Sequence, residues 1–179
     1  MPYTRLLEQI DIFSDLDTER LERICSICTE RRYEKDDIIF HENTKSDELY
    51  IILQGEVEIL VDPKMLGISS EASPGPTTIA TLRRGQSFGE VALVDEGFRS
   101  ASARCAAPNT QLLAIQRDAL IRMCEDDFEM GYVLMRNVAS DLCFKIRQTT
   151  LMVGTVQFSE AWDVKDVVNG KKLLDALVH

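Results

Sequence analysis

The sequence predicts an α+β protein that is mainly β, a jelly-roll-like barrel with helices before it and one long helix after it. Short β-rich runs separated by turn residues fill 32–116. Apolar residues recur at helical spacing ahead of this region, in 4–12 and 18–30. Behind it, the spacing indicates a short helix at 117–125 and a long one at 128–153. The fold class follows from this order of short strands between helical ends.

The first elements begin or end at residues suited to those positions. Leu7 and Ile10 share one face of the first helix, and Asp17 is a good N-cap for the second. The run 33–61 contains three β-rich segments divided by turn residues. The turn-rich stretch 62–77 predicts an enlarged surface loop between two strands, with a ligand lid or docking loop as the alternative.

The later elements are bounded in the same way. Turn residues delimit the remaining strands, predicted at 78–82, 100–106 and 111–116. Asp127, with Asp126 before it, is suited to cap the long helix, and Gly154 is a plausible C-terminal cap. We therefore expect the long helix to end at about Val153.

Apolar and small residues recur along the long helix at alternating steps of four and three, which is a heptad pattern. The positions of this heptad seam are Met135, Ala139, Leu142, Ile146, Thr149 and Val153. A helix uses such a seam to pair with another helix, so the sequence predicts a homodimer. The alternative is that the stripe packs only on its own barrel.

Composition and charge restrict the classes of partner and the compartment. The 179 residues are 45% hydrophobic and 28% charged and carry a net charge of −10. An acidic chain has little general affinity for nucleic acid or anionic membranes, so we expect no DNA and no membrane partner. The sequence has no secretory signal and no apolar run that spans a bilayer, which predicts a cytoplasmic protein.

The five cysteines do not resemble a disulfide framework, because their number is odd and most lie in apolar stretches. Cys25 and Cys28 have CxxC spacing, but no second pair follows at zinc spacing. On a helix over 18–30, both would share the inward face with Leu21 and Ile24. We therefore predict buried structural thiols.

The stretch 85–103, GQSFGEVALVDEGFRSASA, carries the chemistry of an anion site and is called the cassette below. Gly89 allows close backbone approach to a ligand, and a turn after Glu90 can aim consecutive N–H groups at a phosphate. Arg99 adds a fork of donors matched to phosphate oxygens, and the Ser100 hydroxyl can join them. Ionised Glu90 only accepts hydrogen bonds, so it suits a sugar hydroxyl.

The cassette resembles the phosphate-binding cassette of the cyclic nucleotide-binding domain family, in which FGE precedes a small apolar segment, a loop and an Arg. The residues in register are Phe88, Gly89, Glu90, Ala92, Leu93, Arg99 and Ala101. Phe98 stands where many members have Pro. Members commonly have Gly near Asp36 and Asn43, and Asn is the milder departure because it tolerates the left-handed conformation. The resemblance covers about Leu6 to Gly154 and implies a β-roll that binds a cyclic mononucleotide.

The resemblance implies a role for each site residue. Glu90 would accept the ribose 2′-hydroxyl, while Arg99 and Ser100, with backbone N–H groups near Ala92, would hold the cyclic phosphate. Thr149-Thr150 resembles the Thr-Ser pair that meets adenine in bacterial catabolite activators, which favours cAMP and leaves cGMP open. The implied ligand-binding set is Phe88, Gly89, Glu90, Val91, Ala92, Leu93, Arg99, Ser100, Ala101, Thr149 and Thr150.

We divide the chain into a cyclic nucleotide-binding domain over 1–154 and a helical tail over 155–179. In the tail, Ser159 is suited to cap a short helix containing Trp162, and Leu173, Leu174 and Leu177 predict a last apolar helix. The tail is too short and not basic enough for an independent DNA-reading domain. It is either a strap on the chain's own core or a docking peptide for a protein partner.

The sequence therefore predicts a stand-alone cyclic nucleotide sensor that is not an enzyme and signals by movement of its long helix. A metal enzyme on a barrel draws on several histidines, and this chain has two, His41 and His179. No metal site is therefore expected. A protein-interaction module with a ligand-free pocket is the other alternative, against which Glu90 and Arg99 argue.

Overall fold

A computed structural model describes residues 3–45, 47–62, 75–95 and 97–161. The strands are β1 (Cys28–Tyr33), β2 (Ile38–Phe40), β3 (Glu48–Gln54), β4 (Glu56–Val61), β5 (Thr77–Arg83), β6 (Ser87–Phe88), β7 (Ser102–Cys105) and β8 (Thr110–Gln116). The helices are α1 (Thr4–Leu7), α2 (Thr18–Ser26), α3 (Val91–Val94), α4 (Arg117–Asp126) and α5 (Phe128–Ala161), with a 3-10 turn at Asp11–Phe13. The chain divides into two compact units, Met1–Ala139 and Ser140–His179.

The barrel lies in the first unit and consists of two four-stranded sheets, in the orders β1-β8-β3-β6 and β2-β7-β4-β5. Every strand pairing in them is antiparallel. The interior cluster comprises Tyr50, Ile52, Val57, Phe88, Ala103, Leu112 and Ala114. This arrangement confirms the predicted mainly-β roll with flanking helices.

Strand β3 is buried on both faces, which explains its unbroken apolar run. Tyr50 and Ile52 belong to the interior cluster, while Leu49 and Ile51 point the other way and are equally buried. A strand covered on both sides has no solvent-facing positions, so its sequence does not alternate. Its neighbour β8 follows the same rule with Leu112 and Leu113.

The second helix is shorter than the predicted 18–30. Asp17 caps it as predicted, since its Oδ1 accepts the Arg20 backbone N–H at 2.9 Å. The helix ends at Ser26, and β1 pairs with β8 from Cys28 onward. Pairing with a central strand overrides a weak helical preference here, because local propensity is easily outweighed by tertiary contacts. The predicted end of this helix was wrong by four residues.

Cys25 and Cys28 therefore do not share a helix face. Cys25 is buried on α2, and Cys28 is half-buried on β1, where its thiol donates to the Ile24 carbonyl at 3.3 Å. Burial raises the pKa of Cys28 to about 12 and that of Cys105 to about 11, and burial also raises the pKa of Cys124. Cys143 is exposed. The thiols of Cys28, Cys105 and Cys124 are therefore protonated and poorly nucleophilic.

Two non-glycine residues have positive φ at the places where the family commonly has Gly. Asp36 has φ 70° and Asn43 has φ 62°. The Asp36 N–H donates to the Cys105 carbonyl at 2.8 Å, so the turn is tied to β7. Such backbone contacts hold an aspartate in a conformation that costs L-residues about 1–2 kcal/mol.

The long helix begins as predicted and ends later. Asp127 Oδ1 accepts the Met130 backbone N–H at 3.0 Å, which confirms the N-cap. The helix then continues through Gly154 and Ser159 to Ala161, so neither residue caps a helix end. A glycine inside a helix costs only about 1 kcal/mol relative to Ala, and no proline follows Gly154 to stop the helix.

The part of α5 in the first unit has one buried face and one exposed face. Met130, Leu134, Asn137 and Val138 are buried. Phe128 is 82% exposed and Tyr132 is 68% exposed. In the second unit, Lys145 pairs with Asp141 at 2.8 Å, and Ile146 is 63% exposed. The predicted tail helices after residue 161, and residues 63–74 of the predicted loop, lie outside the described residues.

Candidate functional site

The cassette begins on the barrel and leaves it through a glycine. Strand β6 pairs with β3 through Phe88 and Tyr50. Gly89 then adopts φ +80°, and Glu90 occupies the N-cap position of the single-turn helix α3. A Cβ on residue 89 would lie 2.6 Å from Arg99 Nη1 and 3.0 Å from the Glu48 carbonyl oxygen. Gly89 is therefore needed for the approach of Arg99, whereas the sequence suggested only the approach of a ligand.

The backbone of Arg99 is fixed by the turn at residues 43–45. The Arg99 carbonyl accepts the Asn43 N–H at 2.9 Å, and the Arg99 N–H donates to the Thr44 carbonyl at 2.8 Å. Phe98, in the position where Pro is common, forms an isolated β-bridge with Lys45. This bridge supplies a local restraint that a proline would otherwise provide through its ring.

The Arg99 side chain is buried, with 5% of its surface exposed, and three groups surround its guanidinium. Nη2 donates to the Glu48 carbonyl at 2.8 Å, and Nη1 lies 3.5 Å from the Gly89 carbonyl. The Phe40 ring centroid is 4.1 Å from Arg99 Cζ. Nε has no hydrogen-bond partner among the described residues.

Burial lowers the pKa of Arg99, and the negative groups around it, among them Asp47, Glu48 and Glu90, oppose that shift. A guanidinium remains protonated in proteins regardless of such shifts. No carboxylate of the described residues forms an ion pair with it. Removing a cation from water without an ionic partner is costly, so the arrangement favours an incoming anion.

The remaining predicted site residues fall into three groups. Phe88, Glu90, Leu93 and Ala101 are buried around the cassette, Val91 is half-buried and Ser100 is exposed. The side chain of Ala92 lies outside the described part of the structure. Thr149 and Thr150 belong to α5 in the second unit, and their side chains are likewise not described. The structure thus gathers the cassette residues and leaves the threonine pair untested.

An aromatic cluster beneath Arg99 was not predicted from the sequence. The Phe40 ring lies 5.8 Å from Tyr50 and 6.0 Å from Phe88, and Tyr50 and Phe88 stack at 5.1 Å. These rings come from β2, β3 and β6, so only the barrel topology brings them together. The one available signal was the presence of aromatic residues at inward-facing strand positions.

Glu48 is a second residue that the sequence did not single out. Its buried carboxylate accepts hydrogen bonds from Arg31 at 3.0 Å, from the Tyr50 hydroxyl and from the Gln116 amide. Burial, together with the bond to Glu48, raises the pKa of Tyr50. The Glu48 side chain is thus occupied by Arg31, and only its backbone carbonyl contacts Arg99.

Metal-binding clusters and membrane-spanning helices are both absent from the part of the chain that the structure describes. It contains no group of three or more His, Cys, Asp or Glu residues arranged to hold a metal ion. No helix in it has both the length and the apolar character needed to cross a bilayer.

The family model described as the cyclic nucleotide-binding domain matches residues 30–127, which include β2 to β8 and the whole cassette. A solved cyclic nucleotide-binding domain from Methylobacillus flagellatus has a similar structure, with a TM-score of 0.68 and 25% sequence identity. That similarity covers 82% of this chain and 82% of the other.

Two relatives of different ligand class have similar sequences. The cyclic AMP receptor protein of Thermus thermophilus is 30% identical over 84% of this chain and 63% of its own length. The cGMP-dependent protein kinase, isozyme 1, of Drosophila melanogaster is 30% identical over 69% of this chain and 15% of its own length. This chain therefore spans less than two thirds of either relative.

Proposed function

The chain belongs to the cyclic nucleotide-binding domain family, and on that premise we propose that it is a sensor of cAMP. The observation that carries the proposal is Arg99, a buried guanidinium with no ion-pair partner among the described residues and with an unpaired Nε. A cyclic phosphate supplies the missing negative charge and accepts from the remaining N–H donors.

The roles of the other cassette residues follow from the same placement. Glu90 directly follows Gly89, whose carbonyl faces Arg99, and its charge acts on Arg99, which supports assigning the carboxylate and the guanidinium to one site. We assign Glu90 to the ribose 2′-hydroxyl, because a carboxylate accepts from a hydroxyl and repels a phosphate. We assign the remaining phosphate contacts to Ser100 and to the backbone N–H groups near Ala92, at the start of α3.

The proposed preference for cAMP rests on two supports. One is the resemblance of Thr149-Thr150 to the pair that meets adenine in catabolite activators. The other is the similarity of this chain to the cyclic AMP receptor protein over 84% of its length. cGMP is the second candidate, which the similarity to the cGMP-dependent kinase supports.

We further propose that the chain acts by regulation without a reaction of its own. A ligand that binds one arrangement of the long helix more tightly shifts the population toward it, and that shift is the signal. A protein partner that contacts α5 or the tail would read it. The proposed place of action is the cytoplasm.

A calorimetric titration of nucleotide-free protein with cAMP and with cGMP tests the proposed ligand. We expect tighter binding of cAMP, together with a rise in melting temperature. At a hundredfold excess over Kd, a ligand that binds only the folded state stabilises it by about 2.7 kcal/mol. Absence of binding and of any thermal shift with both nucleotides would contradict the sensor function. If cGMP bound as tightly as cAMP or more tightly, the proposed preference for cAMP would be wrong.

The homodimer proposal concerns the exposed side of α5. Tyr132 and Phe128 continue the heptad seam toward the start of the helix by further steps of three and four. Both are exposed in the single chain, as is Ile146, whereas the face that packs in the first unit contains Met130 and Leu134. The seam is thus distinct from the inward face, which supports pairing with a second copy.

Light scattering on the double variant Leu142→Glu/Ile146→Glu tests the dimer. We expect monomers, because a helix pair cannot bury unpaired carboxylates without a large cost. The control is Ser140→Glu/Gln148→Glu, which adds the same charge at exposed positions outside the seam. A monomeric parent protein, or a double variant that stays dimeric, would contradict the seam.

A further inference from the structure

We propose that Phe40 is a positioning residue that orients the Arg99 guanidinium through a cation–π contact and thereby sets the affinity for the cyclic phosphate. The inference rests on the proposed function of the cassette. The distance from Arg99 Cζ to the Phe40 ring centroid is 4.1 Å, well inside the range of about 6 Å over which a ring face attracts a cation. Phe40 lies far from the cassette in sequence and acts on the ligand only through Arg99.

The hydrogen bonds of Arg99 do not by themselves fix its plane. Both carbonyl contacts lie on the edge of the guanidinium, and one of them, to Gly89, is at the 3.5 Å limit. With one short contact and one at the limit, the group can still turn about the line that joins Nη2 to the Glu48 carbonyl oxygen. The Phe40 ring, whose centroid lies 4.1 Å from Cζ, restricts this freedom, so Phe40 and the Glu48 carbonyl together define the orientation.

An aromatic face also stabilises the cation without occupying its donors. The described residues offer the buried Arg99 no ion pair, although the carboxylates of Asp47, Glu48 and Glu90 act on it without a hydrogen bond, so an adjacent source of negative potential adds to its stabilisation. A carboxylate would supply that potential but would accept the same N–H groups that a phosphate needs. The Phe40 ring supplies it through its π electrons and leaves Nε and the outer N–H groups available.

The ring of Phe40 is itself held by the barrel. Phe40 ends β2, where it pairs with Ala103 of β7 after a shift in register. Its ring contacts Tyr50 and Phe88, and Tyr50 also lies 5.7 Å from Arg99 Cζ. Because Phe88 directly precedes Gly89, the aromatic cluster connects β2 to the start of the cassette.

Graded fluorination of the Phe40 ring separates orientation from packing. Incorporation of 4-fluoro-, 3,4-difluoro- and 3,4,5-trifluorophenylalanine at position 40 keeps the ring's shape while it withdraws electron density from its face. We expect the affinity for cAMP to fall stepwise, by about tenfold at the trifluoro ring. The same series at Phe13, which is 1% exposed in the helical region, is the matched control and leaves the affinity unchanged.

The outcomes distinguish this inference from the proposed function. A stepwise loss at position 40 with a flat series at position 13 supports the positioning role, since packing alone does not follow electron density. Unchanged affinity across the position 40 series, in a protein that binds cAMP or cGMP, overturns the positioning role and leaves the sensor function intact. An unmodified protein that binds neither nucleotide overturns both.

Discussion

Arg20 and Arg99 each contact several groups, but the groups differ in charge. Carboxylates contact Arg20, whereas backbone carbonyls and an aromatic ring contact Arg99. Arg20 Nε donates to Asp127 at 2.9 Å and its Nη2 to Glu129 at 2.6 Å, with Asp17 at 3.2 Å. These hydrogen bonds raise the pKa of Arg20, and the bond to Asp127 has the largest effect. Arg99 has carbonyls and a ring as neighbours, and burial lowers its pKa.

The difference distinguishes an arginine that stabilises the fold from the one that we propose binds the ligand. Carboxylates accept hydrogen bonds from the donors of Arg20, so this residue joins α2 to the first turn of α5. Its positive charge is already balanced by these carboxylates. Arg99 forms no ion pair with the described residues, and its Nε has no hydrogen-bond partner among them. For a buried or half-buried arginine, the lack of a carboxylate hydrogen-bonded to its donors is therefore a better sign of a binding role than burial alone.

The largest expected effect comes from exchanging each arginine for methionine. Charge-assisted hydrogen bonds contribute about 1.5–3 kcal/mol each, so Arg99→Met should weaken cAMP binding by about a hundredfold or more and leave the fold intact. Arg20→Met should do the reverse, lowering the melting temperature while affinity stays within about twofold. Calorimetry and thermal unfolding on both variants check the pair. If Arg20→Met lost cAMP binding, or if Arg99→Met kept the affinity of the parent, the assignment of the two roles would be contradicted.

A smaller effect is expected from Gly89→Ala, which disturbs Arg99 indirectly. The new methyl group would meet Arg99 Nη1 at 2.6 Å, and displacement of the guanidinium should weaken cAMP binding by about thirtyfold. Gly85→Ala is the matched control, because Gly85 has φ +84° and no atom within 4 Å of its added Cβ. Both variants carry the cost of positive φ, about 1–2 kcal/mol.

Titration of both variants with cAMP, alongside urea unfolding, distinguishes backbone strain from displacement of Arg99. Equal affinities of Gly89→Ala and Gly85→Ala would mean that the position of Nη1 does not matter. A larger loss for Gly89→Ala at equal stability would support the close approach seen in the structure.

The smallest expected effect is a loss of folding stability at acidic pH. The hydrogen bond from Arg20 lowers the pKa of Asp127 from 3.8 to about 2. A carboxyl with a lowered folded pKa adds stability above its unfolded pKa and loses it as the pH falls through the folded value. Unfolding free energy should therefore fall between about pH 4 and pH 2, and less steeply in Arg20→Met.

Urea unfolding across that window measures the effect, and cAMP affinity between about pH 5 and pH 8 gives the contrast, because guanidinium Arg99 does not titrate there. If the free energy of unfolding depended on pH identically in the parent and in Arg20→Met, the Arg20–Asp127 ion pair would make no contribution to stability in acid. An affinity that changes between pH 5 and pH 8 would indicate a titrating group other than Arg99 in the site.

The barrel and its order of elements were predictable because they depend on local patterns. Turn residues and β-rich runs gave the strands, and Asp17 and Asp127 both cap the helices they were predicted to cap. Helix ends were less predictable. Cys28 joins a strand because β8 is available to pair with it, and Gly154 lies within a helix that continues to Ala161, since no proline follows Gly154 to stop it.

The candidate site was predictable as a motif but not as a spatial arrangement. Gly89, Glu90 and Arg99 were found from their spacing, since that chemistry lies within one short segment. Phe40 and the Glu48 carbonyl were not, because each reaches Arg99 from a distant strand. Backbone carbonyls leave no residue-type signal, and an inward aromatic residue in a strand is indistinguishable from ordinary core.

The unequal environments of the cysteines make the chain suited to spectroscopy without mutation. A maleimide dye reacts with thiolates, and burial keeps the thiols of Cys28, Cys105 and Cys124 protonated at neutral pH. Cys25 is buried as well, so Cys143 is the one exposed thiol of the five. A dye attached there sits directly after Leu142 of the seam. The native sequence thus carries its own reporter on the helix whose movement is proposed to be the signal.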